Sequence, residues 1–328
     1  MQQFGRLLDI DVDPFQPRFP WIGSDLQTIR SSIFIEPGIP EDMRLTVPVP
    51  AFRHSDQAIS VALNKPAGDW NGKLVILNHG LGGTEGSGYM RRSCRYFLDK
   101  GWAVARVNMR GAGKSAETSV PPYHAGLTDD LRAVTTALKA EVPDARFFLM
   151  GFSLGGQLTL RFLAENDFPV PIEAAVSVSA PIHLATASET LSKRRNRPYI
   201  NYLVKQLKRD LRKAPHVMDE AALEQVSRIS HLDEQLVAPI FGYRDRFDYY
   251  EKTSVNTVMK DIKTPTLAIH AADDPWIPAH HYKQVLDGPH DHLTILLMDK
   301  GGHLGFFGRK HKINWFIPVA DRYFKQLD

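Results

Sequence analysis

A serine stands between glycines in the stretch Gly151-Phe152-Ser153-Leu154-Gly155-Gly156, which has the pattern G-x-S-x-G. The residues before it, RFFLM, predict a buried strand, and the residues after it, LGGQLTLRFLAEN, predict a helix. Glycines on both sides permit the strained strand-to-helix turn that raises a serine hydroxyl above the edge of a sheet. The N-terminus of the following helix also favours a developing negative charge. The pattern in this setting predicts that Ser153 is a nucleophile.

A nucleophilic serine needs a base, and the base needs a carboxylate that orients it. Asp274 follows the predicted strand TPTLAIHA, and His303 follows the last predicted strand, HLTILLMD, after two glycines. The order serine, acid, histidine and the two strand-end positions match one known arrangement of such a triad. We therefore predict His303 as the base and Asp274 as the acid. Asp273 is the alternative acid, although Pro278, four residues after Asp274, favours Asp274.

The stretch His79-Gly80-Leu81-Gly82-Gly83 follows another predicted strand, KLVILN. A loop of this kind and the residue after a nucleophile supply the backbone N–H groups of an oxyanion hole. We predict Leu81 and Leu154 as the two donors, with glycines that let the backbone approach a substrate closely. A dinucleotide-binding loop, G-x-G-x-x-G, would need glycine at position 85, where the chain has Glu85.

Two other patterns resemble phosphate and metal sites only in part. Residues 111–115, GAGKS, end like a phosphate-binding loop, but the full pattern needs glycine at position 108, which is Asn108. We expect this loop to line the space beside the active site instead. The histidine pairs 280–281 and 290–292 have no accompanying cluster of carboxylates, and Cys94 is the only cysteine. We therefore predict neither a metal site nor a disulfide.

Short apolar strands alternate with amphipathic helices from Lys73 onward, which predicts a mostly parallel sheet covered by helices on both faces. Residues 1–50 are rich in proline and predict an irregular N-terminal arm that packs on the core. The α/β core is predicted over residues 51–182 and 263–328. Residues 183–262 look helical and predict a lid inserted before the acid-bearing strand. The length of 328 residues would also suit two domains.

Composition narrows the class of protein. Forty Lys and Arg against 37 Asp and Glu leave a net charge of +3, which gives no support for nucleic-acid binding. We find no pattern of a secretory signal and no window apolar enough for a membrane span, and we expect a cytoplasmic protein. Residues 193–213 are basic, with Asp210 as the single acid. We interpret them as a solvated helical face, and leave contact with a membrane or an acidic partner open.

The chain resembles the YheT-like branch of the α/β-hydrolases in six motifs, which are HGLGGT, GWAVARVNMRGAG, YHAGLTDDL, GFSLGG, AADDPWIP and GGHLGF. That branch includes the plant embryogenesis-associated hydrolase and the yeast medium-chain ester synthase/esterases. The resemblance implies an α/β-hydrolase fold with Ser153 as nucleophile, Asp274 as acid and His303 as base.

The resemblance to the YheT-like branch further implies a serine hydrolase that cleaves esters of short to medium acyl chains through an acyl-enzyme. It implies no cofactor, and a small-molecule ester as the ligand. Two alternatives are kept. The first is acyl transfer to an alcohol, which depends on how well the lid excludes water. The second, from a different class, is a catalytically silent binding protein on the same fold.

Overall fold

The computed structural model describes residues 2–4, 14–34, 36–52, 55–120, 123–214, 217–288 and 290–327. The strands in these ranges are β1 (Gln2–Phe4), β2 (Met43–Phe52), β3 (Ser55–Asn64), β4 (Lys73–Asn78), β5 (Ala103–Val107), β6 (Arg146–Phe152), β7 (Ile172–Val178), β8 (Thr266–Ala271) and β9 (Leu293–Met298). The helices are α1 (Ser24–Ile33), α2 (Gly88–Asp99), α3 (Thr128–Glu141), α4 (Leu154–Glu165), α5 (Leu184–Leu191), α6 (Arg197–Leu211), α7 (Glu220–Gln225), α8 (Ile229–Leu232), α9 (Ala238–Ile240), α10 (Arg246–Thr253), α11 (His280–Leu286) and α12 (Phe316–Gln326).

The described strands form one sheet in the order β1-β9-β8-β7-β6-β4-β5-β3-β2. The strands from β4 to β9 run parallel to one another, whereas β1, β2 and β3 pair antiparallel at the two edges. The predicted fold class is therefore confirmed. The strand order reverses at β4, which pairs with both β5 and β6. Open α/β sheets bind ligands at the carboxyl ends of the strands beside such a reversal.

Side chains of the central strands alternate between two apolar layers, because successive residues of a strand point to opposite faces. In β4, Leu74 and Ile76 pack in the layer that contains residues of α3, α4 and α11. Val75 and Leu77 pack in the opposite layer, with residues of α2 and α12. Burial on both faces explains why this strand is a continuous apolar run in the sequence.

The N-terminal arm contains more regular structure than the sequence predicts. Met43–Phe52 forms β2, which pairs antiparallel with β3 at the edge of the sheet, so the prediction of an irregular arm is wrong there. Pro48 lies within this strand, where an edge position tolerates a residue without an N–H group. The alternation that marks the strand is visible in the buried Val47 and Val49, two residues apart.

Helix α1 contacts the rest of the protein with a polar face. Gln27 is 1% exposed, whereas Leu26 and Ile33 of the same helix are exposed. The Gln27 amide donates to the carbonyl of Phe307 (3.1 Å) and accepts the N–H of the same residue (2.7 Å). Helix α1 therefore binds through hydrogen bonds, and the exposed apolar side chains of this part of the arm also include Phe19, Ile22 and Phe34.

Among the described residues, six α-helices, α5 to α10, lie between β7 and β8, the segment for which the sequence predicts a helical lid. We call residues 184–253 the helical insert. The insert has an apolar cluster of its own, formed by Ile200, Val204, Leu207, Leu211, Leu223, Val226, Leu232 and Leu236. In the part of the chain that the structure describes, every helix is too short or too polar to cross a bilayer.

The basic stretch, residues 193–213, is partly neutralised by neighbouring acids. Five of its nine Lys and Arg side chains lie beside a carboxylate: Arg195, Lys208, Arg209, Arg212 and Lys213. One of these carboxylates, Asp25, belongs to α1 and contacts both Arg195 (3.1 Å) and the hydroxyl of Tyr199 (2.7 Å). The pairs support the interpretation as a solvated face, and Asp25 joins the insert to the arm.

Candidate active site

Ser153 lies at the turn between β6 and α4, with backbone angles φ 50° and ψ −120°. Residues other than glycine adopt such angles at a cost, and they do so mainly at functional sites. The neighbouring glycines make the turn possible. A Cβ on Gly155 would collide with the carbonyl oxygens of Asn78 and His79, and a Cβ on Gly151 would collide with the carbonyl of Gly155. The serine is therefore fixed at the carboxyl end of β6, next to β4.

Ser153, His303 and Asp274 form a chain of hydrogen bonds, although they lie far apart in the sequence. Ser153 Oγ is 3.0 Å from His303 Nε2, and Nδ1 of the same imidazole is 2.8 Å from Asp274 Oδ2. All three residues are buried: Ser153 is 9% exposed, His303 4% and Asp274 8%. In the neutral imidazole, Nδ1–H donates to the carboxylate, so Nε2 presents a lone pair to the serine. This arrangement can accept the serine proton.

The two neighbouring carboxyl groups that compete for the acid position have different partners. Asp274 Oδ1 accepts the backbone N–H groups of residues 276–277 (2.8 and 3.0 Å), while Oδ2 faces His303. Burial acts to raise the pKa of Asp274, but the adjacent His303 outweighs it, and the pKa lies below its usual range. Asp273 instead accepts the N–H of Gly302 (2.9 Å), and burial raises its pKa. The structure thus brings Asp274 to the histidine.

Aromatic rings surround the histidine and the loop that follows β8. The indole of Trp276 stacks on His303, with ring centroids 4.2 Å apart, which restricts rotation of the imidazole. Beneath the loop, His270 stacks on Tyr282 (4.3 Å) and its Nε2–H donates to the carbonyl of Ile277 (3.1 Å). Burial lowers the pKa of His270 to about 4, so this ring is neutral at pH 7.

Leu81 and Leu154, the two predicted oxyanion donors, line the same cavity as Ser153. Leu154 opens α4, where the first N–H groups have no acceptor within the helix. The N–H of Leu81 also has no acceptor among the described residues, whereas its neighbours Gly80 and Gly82 do. A Cβ on Gly80 would lie 2.9 Å from the Cβ of Ser153, so this turn runs directly against the serine. Two such N–H groups can stabilise an oxyanion.

Two tyrosines, one of them partly exposed, and a buried histidine hold this turn. The hydroxyl groups of Tyr89 and Tyr123 accept the N–H groups on either side of Leu81, at 3.0 and 2.5 Å. Tyr123 also donates to the carbonyl of Gly80 (3.1 Å), and His79 Nδ1–H donates to the same oxygen (2.8 Å). Burial lowers the pKa of His79 to about 4, and its Nε2 accepts a further backbone N–H (3.1 Å). These hydrogen bonds from uncharged groups therefore hold the turn.

The N-terminal arm supplies part of the site. The hydroxyl of Thr28, on α1, accepts the backbone N–H of His303 (2.9 Å) and donates to the carbonyl of Ser24 (2.7 Å). Thr28 and Ser31 also line the cavity. A Cβ on Gly302 would lie 2.5 Å from the Ser24 carbonyl oxygen, so α1 and the histidine loop are in close contact. The sequence analysis did not identify this contribution.

A cavity of about 270 Å³ opens beside Ser153 and His303. Much of its wall comes from apolar side chains, and those from the helical insert are Leu184, Ala187, Leu191, Leu203 and Ile229. The insert also contributes polar side chains, which are Ser188, Tyr202, Asp233, Tyr249 and Tyr250. The insert therefore covers the sheet edge at which the serine and histidine lie.

The loop at residues 111–115 lies elsewhere. None of the described residues that line the cavity belongs to this loop, so the prediction that it borders the active site is wrong. Instead, the hydroxyl of Ser115 accepts the N–H of Ser60 (2.8 Å) and donates to the carbonyl of Asn108 (2.7 Å). The loop thus fastens β3 to the residue that follows β5.

The adjacent histidines are held by contacts within the protein. His281 stacks on His183 with ring centroids 4.2 Å apart, and its Nε2 is 3.0 Å from the hydroxyl of Thr186. His290 Nε2 contacts the carbonyl of Val285. Within the described ranges, no group of three or more His, Cys, Asp or Glu residues is arranged to hold a metal ion.

A serine on a strand-to-helix turn, bonded to a histidine and a carboxylate at the edge of a doubly covered parallel sheet, defines an α/β hydrolase. The chain belongs to the alpha/beta hydrolase fold family, whose family model matches residues 73–310. It is 34% identical over 245 residues to the putative esterase YheT of Escherichia coli (strain K12), covering 72% of this chain and 71% of YheT. The predicted resemblance to the YheT-like branch is confirmed.

Two further proteins show how far the similarity extends. The chain is 29% identical over 266 residues to the monoacylglycerol lipase of Saccharomyces cerevisiae, covering 77% of this chain but only 59% of that enzyme. The esterase Pf2001 of Pyrococcus furiosus superposes with a TM-score of 0.59 at 17% identity, covering 89% of this chain and 97% of that one. The superposition shows a shared fold. The esterase and lipase relatives support ester hydrolysis as the general class of activity.

Proposed function

We propose that this protein is a serine ester hydrolase that works through a covalent acyl-enzyme. The observation that carries the proposal is the chain of hydrogen bonds from Ser153 through His303 to Asp274, which opens on an apolar cavity. The N–H groups of Leu81 and Leu154 on the same cavity supply the matching oxyanion site. The unbroken chain of bonds argues against a catalytically silent binding protein.

The mechanism has two acyl-transfer steps. Ser153 Oγ attacks the ester carbonyl carbon while His303 Nε2 takes the hydroxyl proton. The carbonyl oxygen becomes negative and accepts hydrogen bonds from Leu81 and Leu154, and ionised Asp274 stabilises the imidazolium. The imidazolium then protonates the departing alcohol. In the second step, a water molecule gives its proton to the same histidine and attacks the acyl carbon; the imidazolium returns that proton to Ser153 Oγ as the bond to the acyl group breaks, and the free acid departs.

We propose esters of short to medium acyl chains as the substrate class. The cavity volume of about 270 Å³ lies just below the usual range of ligand pockets, roughly 300 to 1,000 Å³, and therefore favours small substrates. Each CH₂ group buried against its apolar wall contributes up to about 0.8 kcal/mol, or about fourfold in kcat/KM. We expect kcat/KM to rise from acetate towards medium chains and to fall once the chain exceeds the cavity.

A series of p-nitrophenyl esters from acetate to dodecanoate tests both statements. Ser153→Ala should lower kcat roughly 10⁴- to 10⁶-fold. Ser31→Ala is the matched control, because Ser31 lines the same cavity but its hydroxyl accepts from Arg92 (2.8 Å). Full activity of a folded Ser153→Ala protein would contradict the hydrolase. Formation of butyl esters on addition of 1-butanol would show that an alcohol can replace water as the acceptor.

A further inference from the structure

The cavity wall contributed by the helical insert contains a polar cluster that the proposed hydrolysis does not use. Ser188 of α5, Asp233 and Tyr250 of α10 all line the cavity. Asp233 opens a π-helical segment, Asp233–Val237, and such segments are frequent at functional sites. Three separate parts of the insert therefore meet at one place on the wall.

The hydrogen bonds within this cluster leave one acceptor unused. The hydroxyl of Tyr250 donates its single proton to Asp233 Oδ2 (2.5 Å). Because that proton is committed, the contact between the hydroxyl groups of Tyr250 and Ser188 (3.0 Å) requires Ser188 to donate. Asp233 Oδ1 receives no hydrogen bond from any residue that the structure describes. This oxygen is free to bind a ligand.

Asp233 lies on the cavity wall and is partly exposed. No cation among the described residues pairs with it, since the nearby Arg246 contacts Glu234 (3.3 Å) instead. Burial raises the pKa of Asp233 to about 7, so near neutral pH its carboxyl group accepts or donates a hydrogen bond.

A free carboxyl oxygen on the cavity wall favours one kind of ligand. A ligand that fills the cavity excludes water from this partly exposed oxygen, and it must supply a hydrogen bond of its own or leave the oxygen unpaired. A site built to bind a hydroxyl group therefore rejects an analogue that lacks it, because the protein group is then left unpaired.

We propose that Asp233, held in position by Tyr250 and Ser188, is a hydroxyl-binding subsite, and that the preferred esters of this protein carry a free hydroxyl group. The inference rests on the proposed ester hydrolysis and names its substrate class. The hydroxyl lies either on the alcohol part of the ester, as in a partial glyceride, or on the acyl chain. The subsite selects substrates and takes no part in bond cleavage.

Two matched pairs of esters distinguish these sources. Glycerol monobutyrate against propyl butyrate places the hydroxyl groups on the alcohol, and methyl 6-hydroxyhexanoate against methyl hexanoate places one on the acyl chain. We expect wild-type kcat/KM to favour the hydroxylated member of one pair at least tenfold. Asp233→Leu should lower kcat/KM for that member at least tenfold and for its plain partner less than threefold. Glu234→Gln, next in the chain but not on the cavity wall, should preserve the preference.

Binding of the same pairs to the Ser153→Ala protein, measured by calorimetry, gives the preference without turnover. This measurement separates the test of the subsite from the test of hydrolysis. If the wild type cleaves no ester, the hydrolase proposal fails, but the subsite proposal still requires the Ser153→Ala protein to bind the hydroxylated member tenfold more tightly. If the wild type shows equal kcat/KM for both members of both pairs, the subsite is overturned, even if Asp233→Leu does not fold. A folded Asp233→Leu protein that loses activity equally on both members would show a structural role and overturn it as well.

Discussion

The backbone N–H of His303 lies 2.9 Å from the hydroxyl oxygen of Thr28, a residue 275 positions earlier in the chain. The same hydroxyl donates to the carbonyl of Ser24, so it belongs to α1 and to the histidine loop at once. Gln27, one residue before Thr28, fixes the loop again at Phe307. The N-terminal arm therefore positions the proposed base directly.

The first prediction concerns this contact. Thr28→Val keeps the shape of the side chain but leaves the buried N–H of His303 unpaired, a loss of about 1 kcal/mol or more. We expect kcat on p-nitrophenyl butyrate to fall about tenfold and KM to change less than threefold. Thr136→Val is the matched control, because Thr136 makes the same bond to a carbonyl four residues earlier (2.9 Å) on the exposed side of α3. Equal kcat values for the two variants would contradict a positioning role for Thr28.

The second prediction concerns the turn that carries the proposed oxyanion donor. Tyr123→Phe removes the acceptor of the Gly82 N–H and the donor to the Gly80 carbonyl, so the N–H of Leu81 is less firmly placed. We expect kcat to fall about tenfold, well short of the 10²- to 10³-fold loss of a whole oxyanion donor. Tyr96→Phe, whose hydroxyl contacts Asp321 (3.2 Å), serves as the control. An unchanged kcat in Tyr123→Phe would contradict the proposed support of the turn.

The sequence predicts those parts of the fold and site that depend on local pattern. Buried parallel strands are short apolar runs, and Ser153, Asp274 and His303 each follow such a run directly or within a few residues. Because parallel strands end at one edge of a sheet, residues at their ends meet, and the structure brings these three together. Strand β2 is less evident in the sequence, because Pro48 and Pro50 mask its alternation of apolar residues. The prolines are tolerated there because the strand lies at the edge of the sheet.

Other parts of the site depend on contacts that no local pattern records. Thr28 and Ser31 lie in a short polar helix, and nothing in its sequence indicates which distant loop it meets. Asp233 stands among many charged residues of the insert, and only the fold shows that it is enclosed while its neighbour Glu234 reaches Arg246. Whether such a residue belongs to the site depends on which surface of its helix is buried. The packing of the whole fold determines that surface.

The third prediction compares the two neighbouring acids. Asp274→Asn removes the charge that supports the His303 imidazolium, and the loss in kcat is expected to be about 10⁴-fold, as in a comparable triad. Asp273→Asn should cost less than tenfold, because the amide oxygen still accepts the Gly302 N–H. Both variants remove one carboxylate at adjacent positions, so each is the control for the other. A larger loss in Asp273→Asn would exchange their roles.

The last prediction concerns the proton held by Asp233. Its pKa is about 7 in the folded protein, mainly because burial disfavours the charged form, with Tyr250 and Arg246 acting in the opposite direction and Glu234 in the same one. The unfolded carboxyl has a pKa of about 3.9. Between these two values the folded state binds one proton more than the unfolded state. The contribution of Asp233 to the free energy of unfolding therefore decreases as pH rises from about 4 to 7.

Asp233→Asn cannot ionise and still accepts the Tyr250 proton through its amide oxygen. The free energy of unfolding of this variant, relative to wild type, should therefore increase by a few kcal/mol at most between pH 5 and pH 8. Chemical denaturation at both pH values measures the difference, and Asp144→Asn, an exposed acid on the loop after α3, is the control that should show no such change. If Asp233→Asn gains no stability over wild type between the two pH values, Asp233 is ionised throughout. Its free oxygen would then act only as an acceptor, and a ligand hydroxyl would have to donate to it.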